Sequence, residues 1–398
     1  MRVLSFGHIP TWAGGRQETG LANVIYQLAK HGSDIPDAEV FLAATDCFIP
    51  KRLDGRLTIL GWTKASLLSY MLIHPCRTIK SFYVLRGLKK EYPTKESFWG
   101  LFLKRVFLDK SFHEVFPDVV HLHGVQTVWY QDLIPSSCKL AVTFHGIIGF
   151  DNNLPEREVN YKMERNSYLS NRVDVFFFIC THLVGLFNEA YGSNGKNHYV
   201  IFNSYDNTRF YLKYDNTKTQ KNEDSIVLYT VASLSDLKGQ KRVLEGISLS
   251  KDPKRFVYRC VGGDSVGVSK ELESYATDHG IDFKYLGKMT PDEIRVQLSG
   301  ADYMIMPSSS EGFGISYLEA IACGVPVILP KNLPIAQEKA LINENNSILL
   351  EDCSFMSIAK VLSHLEEYSF NKSDVASTVS SLSWNEIAKQ YFNAFNEL

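Results

Sequence analysis

The chain contains 398 residues, of which 45% are hydrophobic and 22% are charged. This composition is ordinary for globular proteins, so it excludes disordered and fibrous classes, and the length is more than one hydrophobic core usually fills. A formal net charge of -2 gives no overall basic field, so we expect no nucleic-acid partner. The sequence therefore predicts two globular domains whose ligands are recognised by local features.

The seven cysteines stand singly and form no Cys-x-x-Cys pair, so neither a disulfide framework nor a zinc site is predicted. The N-terminal residues lack the apolar segment of a signal peptide, and no apolar run reaches the roughly 18 residues that span a bilayer. We therefore expect a cytoplasmic protein that is soluble or peripheral on the inner face of the membrane.

Short apolar runs bounded by turn residues alternate with longer periodic segments, which is typical of parallel sheets covered by helices. Strands are predicted near 2–6, 38–43, 57–61, 118–122, 139–145, 173–179, 198–202, 226–232, 256–262, 283–286, 302–307, 325–329 and 347–350. Helices are predicted near 17–31, 182–192, 240–250, 268–279, 291–299, 314–323, 334–341 and 354–368. The predicted fold class is α/β, with two doubly wound parallel sheets in series.

The two halves meet in a polar stretch, 203–221, that is rich in Asn, Asp, Lys and Thr. We predict a first domain over 1–205 and a second domain over 206–383, and the amphipathic segment 384–398 could return to the first domain. Ligands of open α/β sheets bind beyond the carboxyl ends of the strands, so two such domains facing across a cleft would enclose a ligand there.

The most informative segment, 307–327, predicts a strand end, a glycine-containing loop and an apolar helix. Gly312 and Gly314 would let the backbone approach a ligand, and the free N–H groups of the helix start suit a phosphate. Glu319 is the acid within the apolar helix, so it needs hydrogen-bond donors such as the two hydroxyls of a ribose. Glu311 could face a sugar. Alternatively, Glu311 caps the helix and Glu319 pairs with a basic neighbour.

This segment resembles the Glu-x7-Glu motif of the group 1, family-four retaining glycosyltransferases, which have the GT-B fold of two Rossmann-like domains. The resemblance implies a nucleotide-sugar as donor and assigns Glu311 a catalytic role beside the donor sugar. It also implies donor contacts for Gly312, Phe313, Gly314, Ile315 and Glu319.

A paired-glycine loop, 10–20, joins the first predicted strand to a helix beginning near Gln17. In the resembling family this loop meets the donor diphosphate, and Gly14 and Gly15 could aim backbone N–H groups at it. A plain glycine turn is the alternative. The loop is not a Gly-x-Gly-x-x-Gly fingerprint, which argues against nicotinamide binding. Arg16, in the same loop, is predicted to lie on the acceptor side.

Two histidines end the predicted strand 118–122, and because they alternate with apolar neighbours both point the same way. The resemblance implies that His123, rather than His121, contacts the transferred sugar, whereas a purely structural histidine is the alternative. His145 follows the next strand and is predicted to line the acceptor side.

The segment 229–241 predicts a strand, a loop and a helix, with Lys238 placed to stabilise charge on the departing phosphates. An ordinary surface lysine is the alternative. The resembling family usually has an arginine five residues earlier, where this chain has Ser233, so Lys241 or Arg16 could compensate for the missing charge.

Lys288 and Met289 match the part of the family whose backbone commonly reads the nucleotide base, so they are predicted to bind the donor. The sequence contains no Asp-x-Asp motif of the kind that holds a divalent metal on a diphosphate. We therefore expect a metal-independent enzyme without a cofactor, in which Lys238 and helix N-termini supply the positive charge.

For family-four enzymes the resemblance implies retention through a front-face displacement, in which the leaving phosphate helps to deprotonate the acceptor. A covalent glycosyl-enzyme on Glu311 is the alternative. The predicted function is transfer of a hexose-type sugar from a UDP- or GDP-sugar to a glycan or lipid-linked acceptor, in surface polysaccharide or lipopolysaccharide biosynthesis. A GT-B sugar-nucleotide epimerase and a non-catalytic scaffold are the rival hypotheses.

Basic and aromatic residues are interleaved over 63–110. This segment could rest on an anionic membrane through cations such as Lys89, Lys90, Lys104 and Arg105, or it could form a solvated helix pair on the first domain.

Overall fold

The computed structural model describes residues 1–17, 19–49, 51–148, 156–213, 224–265 and 267–398. The chain divides into two compact units, Met1–Asn203 together with Trp384–Leu398, and Ser204–Ser383. This division lies two residues before the boundary predicted from the sequence. Positions 214–221 of the polar stretch predicted there lie outside the described residues.

The described part of the first unit contains one sheet with the strand order β3-β4-β2-β1-β5-β6-β7-β8. Its strands are β1 (Arg2–Gly7), β2 (Glu39–Ala44), β3 (Lys51–Asp54), β4 (Leu57–Leu60), β5 (Val119–His123), β6 (Lys139–Phe144), β7 (Val175–Phe178) and β8 (His198–Val200). The pairing of β3 with β4 is antiparallel and the other pairings are parallel. Residues of β5 and β7 are all buried, as expected for strands covered on both faces.

Seven helices precede the second unit within the described residues. They are α1 (Gly20–Gly32), α2 (Lys64–Ile73), α3 (Pro75–Glu91), α4 (Phe98–Val115), α5 (Gln126–Tyr130), α6 (Arg157–Tyr168) and α7 (Thr181–Tyr191). Helix α1 begins later than its periodicity predicted because the Thr19 side chain accepts a hydrogen bond from the Ala22 N–H and caps the helix. The helix pair predicted over 63–110 consists of three helices, α2 to α4.

The second unit contains a parallel six-stranded sheet with the order β11-β10-β9-β12-β13-β14 among the described residues. Its strands are β9 (Ile226–Val231), β10 (Phe256–Val261), β11 (Asp282–Tyr285), β12 (Tyr303–Ile305), β13 (Val327–Pro330) and β14 (Ser347–Leu350). Its helices are α8 (Gln240–Ser248), α9 (Ser269–Asp278), α10 (Pro291–Ser299), α11 (Ile315–Ala322), α12 (Phe355–Leu362) and α13 (Lys372–Ser377). The six strands predicted for this half are confirmed.

The helix predicted near 334–341 is wrong. The structure has a single 3₁₀ turn, Ile335–Gln337, in its place. The Glu338 N–H donates to the Ile335 carbonyl three residues earlier, and Leu341 N–H then donates to the Glu338 carbonyl. Local bonds of this kind use the backbone groups that an α-helix would need.

The closing helix α14 (Trp384–Asn396) belongs to the first unit. Its Tyr391 ring lies 4.5 Å from the Phe177 ring of β7, and its Phe395 ring lies 5.7 Å from the His121 ring of β5. The apolar face of α14 therefore covers the middle of the first sheet.

Within the residues that the structure describes, no helix is both long enough and apolar enough to cross a membrane.

Candidate functional site

The strand order of the second unit gathers the predicted donor residues at one edge of the sheet. Strand β9 lies between β10 and β12, so successive connections leave it in opposite directions, and ligands of doubly wound sheets bind at such a switch point. The loops that follow the carboxyl ends of β9, β10, β11 and β12 meet at this edge. They carry Ser233, Lys238, Gly262, Gly263, Lys288, Met289, Glu311, Gly312, Phe313 and Gly314.

The structure joins Lys238 and Glu311, which lie 73 residues apart in the chain. The Lys238 ammonium donates to Glu311 Oε1, and Ser308 Oγ donates to the same oxygen over 2.9 Å. The Lys238 side chain is 26% exposed and that of Glu311 is 9% exposed. The pair is thus shielded but open to solvent on the lysine side, which does not fit an ordinary surface lysine.

Arg242 ties together the two loops that carry this ion pair. Its guanidinium donates to the Asp236 carbonyl and to the Pro307 carbonyl, each over 2.8 Å. Gly239, with φ +78°, lies at the crossing, where an added Cβ would come 2.8 Å from the Pro307 carbonyl oxygen. Sequence patterns gave no signal for Arg242, because its role depends on contact between two distant loops.

Glu319 lies on α11, where its neighbours Tyr317, Leu318, Ala320 and Ile321 are buried. Glu319 as a residue is partly buried, and the described residues place neither a hydrogen-bond donor nor a cation on its carboxyl. Burial raises its pKa to about 7, and the negative charge of Asp206 adds to the rise. The alternative in which Glu319 pairs with a basic neighbour is therefore wrong.

The start of α11 also differs from a capped helix end. The Glu311 carboxylate is held by Lys238 and Ser308, and no side chain caps the helix at Gly314. The backbone N–H groups of Gly314, Ile315 and Ser316 meet no acceptor in the described ranges. Glycine is required at position 314, because φ is +88° and an added Cβ would lie 2.6 Å from the Tyr317 ring.

Ser233, Gly263 and Lys288 lie side by side on three neighbouring loops. An added Cβ at Gly263 would lie 3.2 Å from Lys288 Cε and 3.7 Å from Ser233 Oγ. Lys241, by contrast, is bound to Glu271 over 2.5 Å on the outside of the unit. Lys241 therefore does not replace the charge missing at position 233, and Lys288 is the cation that lies beside that position.

The paired glycines of the first unit use their N–H groups within their own loop. Gly14 N–H donates to the Thr11 carbonyl and Gly15 N–H donates to the Pro10 carbonyl, both over 3.0 Å. An added Cβ at Gly15 would lie 1.9 Å from the Ile9 carbonyl oxygen. The prediction that these two N–H groups face a phosphate is therefore wrong, and close backbone packing accounts for Gly15.

Arg16 lies in the same loop, where its guanidinium stacks 4.4 Å from the centre of the Phe48 ring. Its backbone N–H donates to Asp46 over 2.8 Å. Arg16 thus belongs to the carboxyl edge of the first sheet, and its contact with an acceptor stays a prediction.

The structure distinguishes the two histidines of β5. His121 Nε2 is bonded to Thr143 Oγ1 over 2.7 Å, under helix α14. His123 Nδ1 lies 3.0 Å from His145 Nε2, whereas His123 Nε2 and His145 Nδ1 are buried without a partner in the described part of the chain. His121 is therefore a structural residue, and the His123–His145 pair presents unused hydrogen-bonding nitrogens.

These histidines are neutral at physiological pH. Burial lowers the pKa of His121 and of His145 to about 3, with His145 adding to the effect on His121. Burial, followed by the neighbouring His121 and His145, also holds the pKa of His123 well below its usual value. The pair can thus exchange hydrogen bonds with a ligand without placing a charge there.

Glu164 anchors the loop after His145, and sequence reasoning missed it. Both carboxylate oxygens accept from the Ile148 N–H, over 3.0 and 3.1 Å, and the Tyr191 hydroxyl donates to it over 2.7 Å. Glu164 and its two partners come from separate segments of the chain, so no short motif marks them.

A cavity of about 360 Å³ opens at the other edge of the second sheet, near the amino ends of β9 and β12. Its lining includes Asp224, Arg255, Asp302 and Tyr303 and none of the predicted site residues. Among the residues described, no group of three or more His, Cys, Asp or Glu side chains could hold a metal ion.

A family model described as Glycosyl transferases group 1 matches residues 214–375, within the second unit. The second unit thus matches the glycosyl transferases group 1 family over most of its length. The match includes Lys238, Glu311 and Glu319. The segment that resembles the Glu-x7-Glu motif therefore lies within the matched residues.

Curated relatives resemble this chain over part of its length. A D-inositol 3-phosphate glycosyltransferase from Corynebacterium efficiens is 26% identical over 184 residues, which are 43% of this chain and 42% of the relative. The O-antigen biosynthesis glycosyltransferase WclY from Escherichia coli is 33% identical over 122 residues, which are 29% of this chain and 31% of the relative. The chain thus matches less than half the length of either relative.

Solved structures resemble the whole chain. Sucrose-phosphate synthase from Thermosynechococcus elongatus aligns over 100% of this chain and 99% of its own, with a TM-score of 0.73 and 15% identity. The Anabaena protein HepE, in complex with UDP and glucose, aligns over 100% of both chains with a TM-score of 0.68 and 15% identity. The predicted GT-B fold, with two α/β domains built on parallel sheets, is confirmed.

Proposed function

We propose that this protein is a retaining, metal-independent glycosyltransferase that transfers a hexose-type sugar from a UDP- or GDP-sugar to a glycan or lipid-linked acceptor. The observation that carries the proposal is the half-buried Glu319 carboxyl, which no described side chain satisfies, in a unit that matches the glycosyl transferases group 1 family. A largely buried carboxylate without a donor from the protein is costly to the free protein. Such a cost is expected where a ligand supplies the donors.

A ribose diol fits the requirements of Glu319. Two adjacent hydroxyls can each donate to the carboxylate, and donation to the charged form lowers the pKa of the carboxyl again. The N–H groups at the start of the same helix are free for an anion, and the partial positive charge of a helix N-terminus favours phosphate. One helix would then hold the ribose and the phosphate of a nucleotide.

The Lys238–Glu311 pair would serve the next part of the donor. An ammonium group has three donors, so Lys238 can keep its bond to Glu311 while it donates to a phosphate oxygen. The second Glu311 oxygen is then free to accept from a sugar hydroxyl, and Lys238 stabilises the charge that develops on the leaving diphosphate. Retention would follow from a front-face displacement assisted by that phosphate.

Lys288 supplies the charge that position 233 lacks. Because Ser233 is small, the Lys288 side chain can lie beside it over Gly263, on the same edge as Lys238. We assign Lys288 to the diphosphate through its side chain, in addition to the backbone contact with the base that the resemblance implies for Lys288 and Met289.

For the first unit, we propose that His123 exchanges a hydrogen bond with a hydroxyl of the transferred sugar through Nε2. Arg16 and His145 would contact the acceptor. HepE is described in complex with UDP and with UDP-glucose, which supports a UDP-sugar as donor. The name of WclY supports an acceptor in surface polysaccharide synthesis.

Thermal unfolding of the full chain against a panel of nucleotides and nucleotide-sugars, in buffer containing a chelator, tests this function. A donor at 100 times its Kd should stabilise the protein by about 2.7 kcal/mol, and chelator should not reduce the effect. The best donor is then incubated with candidate acceptors and the product anomer is determined by NMR. A product of inverted anomeric configuration, conversion of donor without acceptor, or dependence on metal would contradict the proposal.

A further inference from the structure

Helices α2 and α3 form an unusually basic stretch in a protein that is slightly acidic overall. The two helices, residues 64–91, contain six Lys or Arg and one acid, Glu91 at the end of α3, which pairs with Lys162 over 3.5 Å, whereas the whole chain has a formal net charge of -2. The rest of the chain carries a net negative charge that more than cancels the cations of these two helices. Their positive charge is therefore a local feature of the surface.

The same helices expose large apolar side chains. On α2, Leu68 is 55% exposed, Leu72 is 73% exposed and Ile73 is 68% exposed. On α3, Ile79 is 56% exposed and Tyr83 is 64% exposed. Exposure of single apolar residues is common, but five large apolar side chains exposed within 16 residues of the chain are a concentration of the kind that marks an interaction surface.

Five of the exposed residues of α3 lie on one face of the helix. Ile79, Lys80, Tyr83, Arg86 and Lys90 recur at intervals of one, three, three and four residues and are all exposed. The opposite face carries the buried Ser81 and Leu85 and packs on α4. The outer face of α3 is therefore apolar at Ile79 and Tyr83 and basic around them.

Three of the cations that the sequence suggested for a membrane surface are bound to other groups of the protein. Arg105 is fully buried and forms an ion pair with Asp132 over 2.6 Å. Lys104 pairs with Glu96, and Lys89 donates to the Thr94 carbonyl over 2.6 Å. Of the four cations that the sequence suggested, Lys90 alone stays on the outer face.

We propose that the α2–α3 face, formed by Leu68, Leu72, Ile73, Ile79, Lys80, Tyr83, Arg86 and Lys90, binds the surface of an anionic lipid bilayer. Aliphatic side chains can enter the boundary between headgroups and acyl chains while the surrounding cations contact the headgroups. A polynucleotide would use the cations but would gain nothing from Leu72 or Ile79. The proposal does not depend on the proposed function, because lipid binding is measured without donor or acceptor.

Sedimentation of the full chain with vesicles tests the charge component. We expect binding to vesicles of phosphatidylcholine with 30% phosphatidylglycerol, little binding to phosphatidylcholine alone, and weaker binding as salt is raised. The triple substitution Lys80→Gln, Arg86→Gln, Lys90→Gln should lower the partition coefficient roughly 100-fold, since each cation near an anionic surface contributes about fivefold. The matched control Lys254→Gln, Lys339→Gln, Lys360→Gln, on exposed positions of the second unit, should change it less than about twofold.

The apolar component has its own pair of variants. Leu72→Ser with Ile79→Ser should weaken binding about tenfold at constant charge, whereas Leu249→Ser with Met356→Ser, at exposed positions elsewhere, should not. All four positions are exposed, so the thermal midpoints of these variants should match the wild type. The proposal would be overturned if a variant set and its control lost vesicle binding equally. It would also be overturned if RNA competed with vesicles for the protein and the serine substitutions did not affect RNA binding.

Discussion

The carboxyl edges of the two sheets carry different chemistry. The second unit presents charge, with the Lys238–Glu311 pair, Lys288 and an acid whose pKa is raised to about 7. The first unit presents histidines that burial keeps neutral, with two nitrogens that have no partner among the described residues. The difference suggests that the second unit manages the phosphates of a donor, whereas the first recognises hydroxyls without adding charge.

The largest expected effect is the loss of the carboxylate that the ion pair holds. Glu311→Gln should lower kcat by about 100- to 1,000-fold, because the amide cannot balance Lys238 or accept strongly from the donor sugar. Donor affinity should change by less than about fivefold. Steady-state kinetics with the exposed Glu344→Gln as control measures both quantities, and near-normal kcat would rule out a direct role for Glu311.

The two histidines of β5 give the next comparison. In His123→Asn the amide can keep the bond to His145 but lacks the outer nitrogen, so kcat should fall roughly 10- to 100-fold with little change in the thermal midpoint. His121→Asn removes the bond to Thr143 and should mainly cost stability, by about 1–3 kcal/mol. The reverse pattern would show that His121, and not His123, faces the ligand.

Substituting Lys288 tests whether it replaces the charge missing at position 233. Lys288→Met should weaken UDP binding by about tenfold, as expected for the loss of one charge-assisted hydrogen bond. Lys284→Met, on an exposed position of the neighbouring strand, provides the control. If Ser233→Arg restores UDP affinity in the Lys288→Met background, Lys288 does replace the charge missing at position 233. Equal UDP affinities of Lys288→Met and Lys284→Met would contradict that role.

The contrast between the edges also predicts a pH dependence. The histidines have pKa values far below 6.5, so none of them should change charge between pH 6 and pH 8. Glu319 has a pKa of about 7 in the free protein, and a diol donates to its ionised form. UDP affinity should therefore fall about tenfold from pH 8 to pH 6. Isothermal titration calorimetry in two buffers of different ionisation enthalpy would also detect the linked proton release.

Part of this arrangement could be predicted from the sequence because it depends on short segments. The strands of the second unit and the loop that contains Glu311 follow from apolar runs and glycines within about 20 residues. That Glu319 needs hydrogen-bond donors also followed from its apolar helix, whereas the sequence left open whether a ligand or a basic neighbour provides them. Such features are local, so pattern and spacing determine them.

The rest depends on contacts between distant segments. The contact of Lys238 with Glu311 requires β9 and β12 to be neighbours, and the burial of Arg105 depends on Asp132. Gly14 and Gly15 looked like phosphate donors, but the loop folds back and uses their N–H groups itself. Arg105 was expected to be exposed because it is charged, but the structure buries it. Its ion pair with Asp132 and its hydrogen bond to Ser81 offset the cost of burying the guanidinium.

We propose that the Glu319 carboxyl has no donor from the described residues in the free protein because a ligand supplies the donors. Its folded-state pKa lies above the usual value of a glutamate, so the cost to stability is present above pH 7 and disappears as the pH falls toward 4.5. Glu319→Gln should therefore make the free protein more stable at pH 8, by on the order of 2 kcal/mol.

Thermal unfolding of wild type and Glu319→Gln at pH 8, with and without saturating UDP, tests this claim directly. We expect the substitution to raise the midpoint of the free protein and to remove most of the stabilisation by UDP. A variant that is less stable than the wild type and responds to UDP as strongly would contradict it.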